Sequence, residues 1–132
     1  MQHDRIRPDA ITDARTAAAL FRPMLAGLPS ERLCVAHLGE GGRLLAVTIC
    51  PLGTDRDVRV PLRGIVAEAL EHGGCAMILA HNHPHGDPNP SESDLRTTRR
   101  IVEVCCPLDI QVLDHLVFAG ELVTSLRALG FL

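Results

Sequence analysis

Residues 81–94 of the chain have the sequence HNHPHGDPNPSESD, and they decide how the rest of the sequence is interpreted. The apolar run that precedes them, residues 75–80, has the length and the aliphatic content of a buried strand. His81 and His83 therefore lie at the outgoing end of that strand. Because side chains alternate along a strand, both imidazoles point to the same side. The prolines and the glycine that follow exclude a helix and a central strand, which predicts a stiff turn.

A helix is predicted to follow this turn. Ser91 and Asp94 have the spacing of an N-cap residue and an acid in the first helical turn, which directs Asp94 back toward the histidines. Two imidazoles and one carboxylate are the protein ligands of a catalytic zinc, whose fourth position is left for water. The pattern predicts metal ligation by His81, His83 and Asp94, with zinc as the ion and iron, manganese or cobalt as alternatives. Taken singly, a histidine is more often structural, and Asp94 could be only a helix-terminal acid.

The same residues resemble the JAMM (MPN+) metalloprotease signature, in which His-x-His is followed after ten residues by Asp, with Ser three residues before that Asp. The fuller form is similar to the bacterial RadC family of this superfamily. The residues that carry the RadC likeness are Pro84, Gly86-Asp87-Pro88, Pro90, Val112-Leu113-Asp114-His115 and the ending Val123-Thr124-Ser125-Leu126-Arg127 with Gly130. RadC proteins commonly carry an additional N-terminal helix-hairpin-helix region, and we expect this chain of 132 residues to be too short for one.

The resemblance also implies catalytic roles. JAMM proteins use a glutamate that enters the first strand as the general base, and Glu31 has the matching place in this sequence. Glu40, in a turn, is the rival and is interpreted as a solvated surface charge. Ser91 matches the serine that helps to stabilise the oxyanion of the tetrahedral intermediate, a role that its function as a helix cap does not exclude.

Four further polar residues have open roles. Asn82 points away from its flanking histidines and is interpreted as a brace of the loop. His85 replaces a serine of the RadC pattern and is interpreted as an exposed loop residue, with an extra ligand or a substrate contact as alternatives. Asp114 and His115 lie on a late strand, where they could support a ligating imidazole or form a local polar pair.

Composition predicts a soluble globular domain with an aliphatic core, because 46% of the 132 residues are hydrophobic and only 2% are aromatic. No apolar run approaches the roughly 18 residues of a membrane helix, and the N-terminus lacks a signal-type stretch, so we expect a cytoplasmic protein. The 13 basic and 16 acidic residues give a net charge of −3. Strong nonspecific binding to nucleic acid therefore has little electrostatic support.

The cysteines, five in number, lie mostly within apolar segments and include no Cys-x-x-Cys pair. We expect them to be buried thiols in a reducing compartment rather than disulfides or metal ligands. They are Cys34, Cys50, Cys75, Cys105 and Cys106.

Periodicity predicts strands and helices in alternation. The predicted helices cover residues 14–28, 62–71 and a segment from 91 to before 107, and the predicted strands cover 31–38, 43–50, 57–60, 75–80, 110–118 and 122–124. We expect residues 1–11 to be a loose lead-in and residues 12–132 to be a single RadC-like JAB/MPN domain. The elements predict an α/β or α+β fold, and the resemblance implies the cytidine-deaminase-like MPN/JAB fold, a mixed β-sheet flanked by helices.

The leading hypothesis is a zinc-dependent metallopeptidase-like hydrolase that cleaves a peptide or isopeptide bond with metal-activated water. Its substrate would be a peptide or a protein, and the sequence does not specify which one, nor the oligomeric state. One alternative is a non-catalytic interaction module that a metal stabilises. A second alternative is a DNA-repair-associated protein, which only the historical name of the family suggests.

Overall fold

The computed structural model describes residues 8–53 and 60–132, and they form one mixed β-sheet with helices on both faces. The helices are α1 (Ala14–Leu25), α2 (Leu62–Glu71) and α3 (Glu92–Cys105). The strands are β1 (Glu31–Leu38), β2 (Leu44–Gly53), β3 (Ala76–Asn82), β4 (Gln111–Ala119) and β5 (Leu122–Ser125). This α+β architecture confirms the predicted fold class and agrees with a JAB/MPN fold.

The order of the strands in the sheet is β2-β1-β3-β4-β5. β1 pairs antiparallel with both β2 and β3, and β4 pairs antiparallel with β5. β3 and β4 are parallel, a pairing that requires a crossover connection, and α3 supplies it. Since β3 is bonded on both sides, it forms the centre of the sheet, and all but the first of its residues are buried.

Two aliphatic layers cover the sheet. α1 packs on one face, with Leu20, Phe21 and Leu25 against buried residues of β1, β3 and β4. α2 and α3 pack on the opposite face, with Ile65 and Ile101 against Val35 and Leu79. Within the described residues, no helix combines the length and the apolar character that crossing a bilayer would require.

The N-terminal segment differs from the expected loose lead-in. Ile11 is buried, and its N–H donates to the carbonyl of Gly42 (2.8 Å). The carbonyl of Asp9 accepts from the N–H of Leu44 (2.9 Å). These bonds hold residues 8–11 against the turn between β1 and β2, whereas residues 1–7 of the expected lead-in lie outside the described part of the chain.

The end of α1 also differs from the prediction of a helix over residues 14–28. Asp13 is the N-cap, because its carboxylate accepts from the N–H of Thr16 (2.7 Å). The helix ends at Leu25, in the turn that contains Pro23, which cannot donate a backbone hydrogen bond. Of the strand predicted at 57–60, only Val60 lies within the described residues, and it is not in a strand.

The cysteines are all free, but two of them contradict the prediction of buried thiols. Cys34, Cys50 and Cys105 are buried, whereas Cys75 and Cys106 are exposed. Cys75 comes just before β3 begins and Cys106 just after α3 ends. The apolar runs in the sequence therefore extend past the ends of the buried elements.

Thiol labelling at pH 8 should separate the two groups of cysteines. Burial raises the pKa of Cys34 to about 11, and it raises the pKa values of Cys50 and Cys105 as well. Only roughly one Cys34 thiol in a thousand is then ionised at pH 8, and the thiolate is the reactive form. We expect iodoacetamide to add rapidly at Cys75 and Cys106 only, as measured by intact mass, and at all five sites in guanidinium. Single replacements Cys75→Ser and Cys106→Ser should each remove one rapid adduct, and a third rapid adduct in the native protein would contradict the assignment.

Candidate metal centre

The imidazoles of His81 and His83 face each other at the outgoing end of β3. His81 is 2% exposed and His83 is 5% exposed. Their Nε2 atoms are 2.9 Å apart, and the rings meet edge to face. The geometry agrees with the expectation that residues two apart at the end of a strand point to one side.

The carboxylate of Asp94 closes this group from the first turn of α3. Its Oδ1 lies 3.2 Å from His81 Nε2, and its Oδ2 lies 2.9 Å from His83 Nε2. Burial acts to raise the pKa of Asp94, but the hydrogen bonds with His81 and His83 outweigh it and lower that pKa. The pKa of His83 is raised, chiefly by its hydrogen bond with Asp94 and against the effect of burial. The raised pKa of His83 and the lowered pKa of Asp94 both mean that the three side chains stabilise a positive charge at the point where they meet.

Ser91 is the N-cap of α3 and orients Asp94. Its Oγ accepts from the N–H of Asp94 (3.0 Å), and Asp94 Oδ2 accepts from the N–H of Ser91 (2.8 Å). This reciprocal arrangement is a capping box, and it confirms the predicted start of the helix. The capping box therefore fixes the carboxylate that faces the histidines.

The second ring nitrogen of His83 forms a hydrogen bond within the segment of residues 83–91 that joins β3 to α3, the motif loop. Its Nδ1 donates to the backbone carbonyl of Asp87 (2.6 Å), and since a carbonyl can only accept, the proton of the neutral ring is on Nδ1. In this neutral form, which is the form that binds a metal ion, His83 Nε2 presents a lone pair. The loop is held in turn by Asp87 Oδ1, which accepts from the backbone N–H and from Nδ2 of Asn89 (3.0 Å each).

Glu31 reaches the same point from the first strand. Leu33 pairs with His81 in the antiparallel β1–β3 ladder, so Glu31, two residues earlier, lies beyond the end of β3 on the face of His81. One ligand atom from each of Glu31, His81, His83 and Asp94 lies within 4.8 Å of the others. Glu40, the rival acid, is exposed in the turn that joins β1 to β2.

Asn82 holds the segment that carries Glu31. Its Oδ1 accepts from the N–H of Arg32 (2.8 Å), and its Nδ2 donates to the carbonyl of Ser30 (3.0 Å). One side chain thus bonds the residues immediately before and after Glu31. The sequence interpretation placed Asn82 as a brace of its own loop, whereas the structure shows that it braces the start of β1.

Asp114 and His115 share one local bond, from the N–H of His115 to Asp114 Oδ1 (2.7 Å), but their side chains have different further contacts. His115 is buried, and its Nε2 lies 2.7 Å from His81 Nδ1. Burial lowers the pKa of His115 well below its usual value, so this ring is neutral. Asp114 instead accepts from the Ser125 hydroxyl and from the N–H of Arg127 near the C-terminus.

His85 lies outside the group of converging ligand atoms. Its exposed ring stacks on His83, with the ring centres 5.2 Å apart. The structure therefore shows an exposed loop residue outside the group of candidate ligands. His85 also lines the cavity beside those ligands, so a substrate contact stays a prediction.

The donor set fits a divalent transition metal. Two imidazole nitrogens and a carboxylate are borderline ligands of the type that zinc takes, with Glu31 as a further oxygen nearby. The separations of 2.9–3.2 Å between the nitrogen and oxygen atoms are close to the about 3.3 Å edge of a tetrahedral site with Zn–N bonds of about 2.0–2.1 Å. The residues that could hold the ion are therefore His81, His83 and Asp94.

Two cavities have His83 in their lining. One has a volume of about 530 Å³ and is lined by Glu31, Ser91 and the three candidate ligands, with Leu52 and Val60 on its apolar wall. The other has a volume of about 690 Å³ and lies on the α1 side of the motif loop, where Arg22 and Pro84 contribute to its lining. The three candidate ligands thus all line the first cavity, and His83 lines both.

A family model described as the RadC-like JAB domain matches residues 11–131. A UPF0758 protein of Thiobacillus denitrificans is 38% identical over 124 residues, which cover 94% of this chain and 55% of that protein. The Escherichia coli K12 UPF0758 proteins YeeS and YfjY are 36% and 34% identical over 93% and 99% of this chain, and over 83% and 82% of their own lengths. The chain spans about half the length of several curated relatives, including one of Porphyromonas gingivalis at 51%.

Replacing Asn82 by Ala should lower the free energy of unfolding by about 1–2 kcal/mol, because the N–H of Arg32 and the carbonyl of Ser30 lose a partly buried partner. Chemical denaturation measures the change. Asn89→Ala is the matched control, since Asn89 bonds only to the exposed Asp87 side chain of its own loop, and it should stay within about 0.5 kcal/mol. Equal losses in the two variants would contradict the role of Asn82.

Proposed function

The chain belongs to the RadC-like JAB domain family, and on that basis we propose that it is a metal-dependent peptidase that hydrolyses a peptide or isopeptide bond. The observation that carries the proposal is the convergence of Glu31, His81, His83 and Asp94, whose ligand atoms lie within 4.8 Å of one another. A purely structural zinc is normally closed by four protein ligands, whereas this group has three candidate ligands and an acid beside an open cavity.

His81, His83 and Asp94 are the residues that would hold the ion, and zinc is the ion that their donor atoms favour. A divalent ion in such a site polarises a carbonyl and lowers the pKa of water from about 15.7 to about 7. The capping box of α3 holds Asp94 in place, and the Asp87 carbonyl orients His83. The ligands are therefore positioned before an ion enters, which reduces the cost of assembling the site.

Glu31 is the proposed general base. It accepts a proton from the attacking water while the water oxygen bonds to the carbonyl carbon of the substrate. It then delivers that proton to the amine nitrogen as the carbon–nitrogen bond breaks. The products are a carboxylic acid and an amine, which together contain the atoms of the substrate and one water. Asn82 supports this role because it bonds to the residues on both sides of Glu31.

Ser91 is the proposed donor to the oxyanion. The bond from the N–H of Asp94 uses a lone pair of Ser91 Oγ and leaves the hydroxyl hydrogen for another acceptor. Ser91 lines the same cavity as Glu31 and His83. A hydroxyl at this place stabilises negative charge as it develops on the carbonyl oxygen.

The proposed substrate is an extended peptide or protein segment. The cavities on the two sides of His83 would accept residues on both sides of the cleaved bond. Nucleic acid has no comparable support, because the chain has a net charge of −3 and the cavity beside the ligands contains Glu31, Asp87 and Asp94.

Elemental analysis and hydrolysis assays with peptide and lysine-isopeptide libraries test the proposal on the zinc-loaded protein. We expect one bound ion per chain and cleavage of library members. A protein that binds no ion would contradict the metal site. A protein that binds an ion and cleaves nothing would contradict the hydrolase and favour a module that uses the metal for stability.

Glu31→Gln should keep the metal and lose the reaction. The neutral amide cannot accept the proton of water, so we expect kcat/KM to fall by about 10²–10⁴-fold. The increase in Tm on adding zinc should remain, because the proposed ligands are unchanged. Glu40→Gln is the matched control and should keep both properties, since Glu40 is exposed in a turn. Retained activity in metal-loaded Glu31→Gln would refute its role as base.

Substitutions at Ser91 should separate its capping role from its catalytic role. Glycine caps a helix nearly as well as serine, so Ser91→Gly should change the free energy of unfolding by only about 0.5 kcal/mol. It removes the hydroxyl, and we expect kcat to fall by up to about 10²-fold at saturating zinc. Ser91→Thr keeps a hydroxyl and should keep most of the rate. If both variants turn over as fast as the parent protein, Ser91 acts only as a cap.

A further inference from the structure

We propose that Thr98 and His115 are positioning residues that fix the proton of His81 on Nδ1, which leaves His81 Nε2 free to bind the metal. This inference rests on the proposed function only in assigning a metal to His81 Nε2. The residues form one buried chain of hydrogen bonds, the Thr98–His115–His81 chain, behind the candidate site. Neither Thr98 nor His115 belongs to the group of four converging ligand atoms.

Thr98 determines which atom donates in each hydrogen bond of this chain. Its hydroxyl donates to the backbone carbonyl of Asp94 (2.8 Å), one turn earlier in α3. A hydroxyl has a single hydrogen, so toward His115 Nδ1, 2.6 Å away, Thr98 Oγ1 can only accept. The proton of the His115 ring is therefore on Nδ1.

The proton position on His115 also determines the proton position on His81. The His115 ring is 2% exposed, and among the described residues its nitrogens contact the Thr98 hydroxyl and the His81 ring but no carboxylate, so the neutral ring is the form that this buried position favours. A proton on its Nδ1 then leaves a lone pair on its Nε2. His115 Nε2 lies 2.7 Å from His81 Nδ1 and must accept a hydrogen bond from the N–H at that position. His81 then has its proton on Nδ1 and a lone pair on Nε2, the atom that faces His83 and Asp94.

The opposite orientation would favour a site without metal. A proton on His81 Nε2 would be directed at His83 Nε2 and Asp94 Oδ1, at 2.9 and 3.2 Å, and would satisfy them with no ion present. Ligating histidines usually donate their second N–H to a carboxylate, a carbonyl or water, as His83 does with the Asp87 carbonyl. An imidazole acceptor such as His115 has two tautomers, so it needs Thr98 to select one of them.

A β-bulge brings His115 to this position. Met77 of β3 pairs with Val112, but the next residue, Ile78, pairs with Asp114, so Leu113 is skipped. Without the extra residue, every later side chain of β4 would point to the opposite face, and His115 would face α1 instead of α3. The Asp114 carboxylate supports the bulge by accepting from the N–H of His115 (2.7 Å).

Substitution of Thr98 in the protein of 132 residues tests the Thr98–His115–His81 chain. Thr98→Val has nearly the same shape but lacks the hydroxyl, so His115 is free to move its proton to Nε2 and direct it at His81. Thr98→Ser keeps the hydroxyl. Thr48→Val is the matched control, because Thr48 Oγ1 forms a 2.7 Å hydrogen bond with Nε2 of His37, a buried histidine that is not a candidate ligand.

Two quantities are measured in these variants, the ring tautomers and the Kd for zinc. Long-range ¹H–¹⁵N spectra of the histidine rings in the metal-free protein at pH 8 report the tautomers, with His81 and His115 assigned through His→Gln variants. Competition with a chromophoric chelator reports the Kd for zinc. Thr98→Val should shift His115 and His81 toward the Nε2–H form and weaken zinc binding by about 10–100-fold. Thr98→Ser and Thr48→Val should keep the parent tautomers and stay within about threefold of the parent Kd.

A proton on His81 Nε2 in the metal-free parent protein would overturn the inference, and so would unchanged ring tautomers in Thr98→Val. Failure of the proposed function is distinguishable from these results. If the parent protein binds no zinc, the metal site is refuted, while the ring spectra still support or contradict the Thr98–His115–His81 chain.

Discussion

The pairing of β3 on both of its edges is the constraint on which the candidate site depends. The antiparallel ladder with β1 sets Leu33 beside His81 and thereby brings Glu31 past the end of β3. The parallel ladder with β4 requires a crossover, and that crossover is α3, whose first turn supplies Asp94. The end of β3 is therefore the place where residues from three separate parts of the chain meet.

Burying so many polar groups is costly unless each one has a partner. His81, His83, Thr98 and His115 are nearly inaccessible to solvent, yet each has a hydrogen-bond partner. Among the described residues, the buried side-chain atom without a partner is His37 Nδ1, which lies outside the site. The bonds to His115 and to the Asp87 carbonyl involve the Nδ1 atoms of His81 and His83 and hold the two imidazoles in one arrangement, with their Nε2 atoms facing Asp94.

Local patterns predicted the cap of α3 and the facing of the two histidines, but they did not predict contacts between distant parts of the chain. Ser91 as a helix cap follows from spacing within one turn, and the facing histidines follow from the alternation of a strand. The place of Glu31 came from family resemblance, since nothing near it in the sequence points to His81. In the sequence, Thr98 is indistinguishable from any other threonine of a helix. Its contact with His115 depends on the bulge at Leu113, which an apolar strand pattern does not reveal. The exposed Cys75 and Cys106 were missed because apolar composition does not mark where a buried element ends.

The sequence by itself determined most of the elements, the turn after His83 and the residue types of the candidate metal site, because these depend on neighbours within a few positions. The tertiary structure decided what surrounds them. The two bonds that join Asn82 to the residues flanking Glu31 bridge separations of 50 and 52 positions, and the β3–β4 register decides that His115 faces His81. The physical reason is that a one-residue shift in a ladder reverses every later side chain, and such a shift is set by packing across the sheet rather than by local preference.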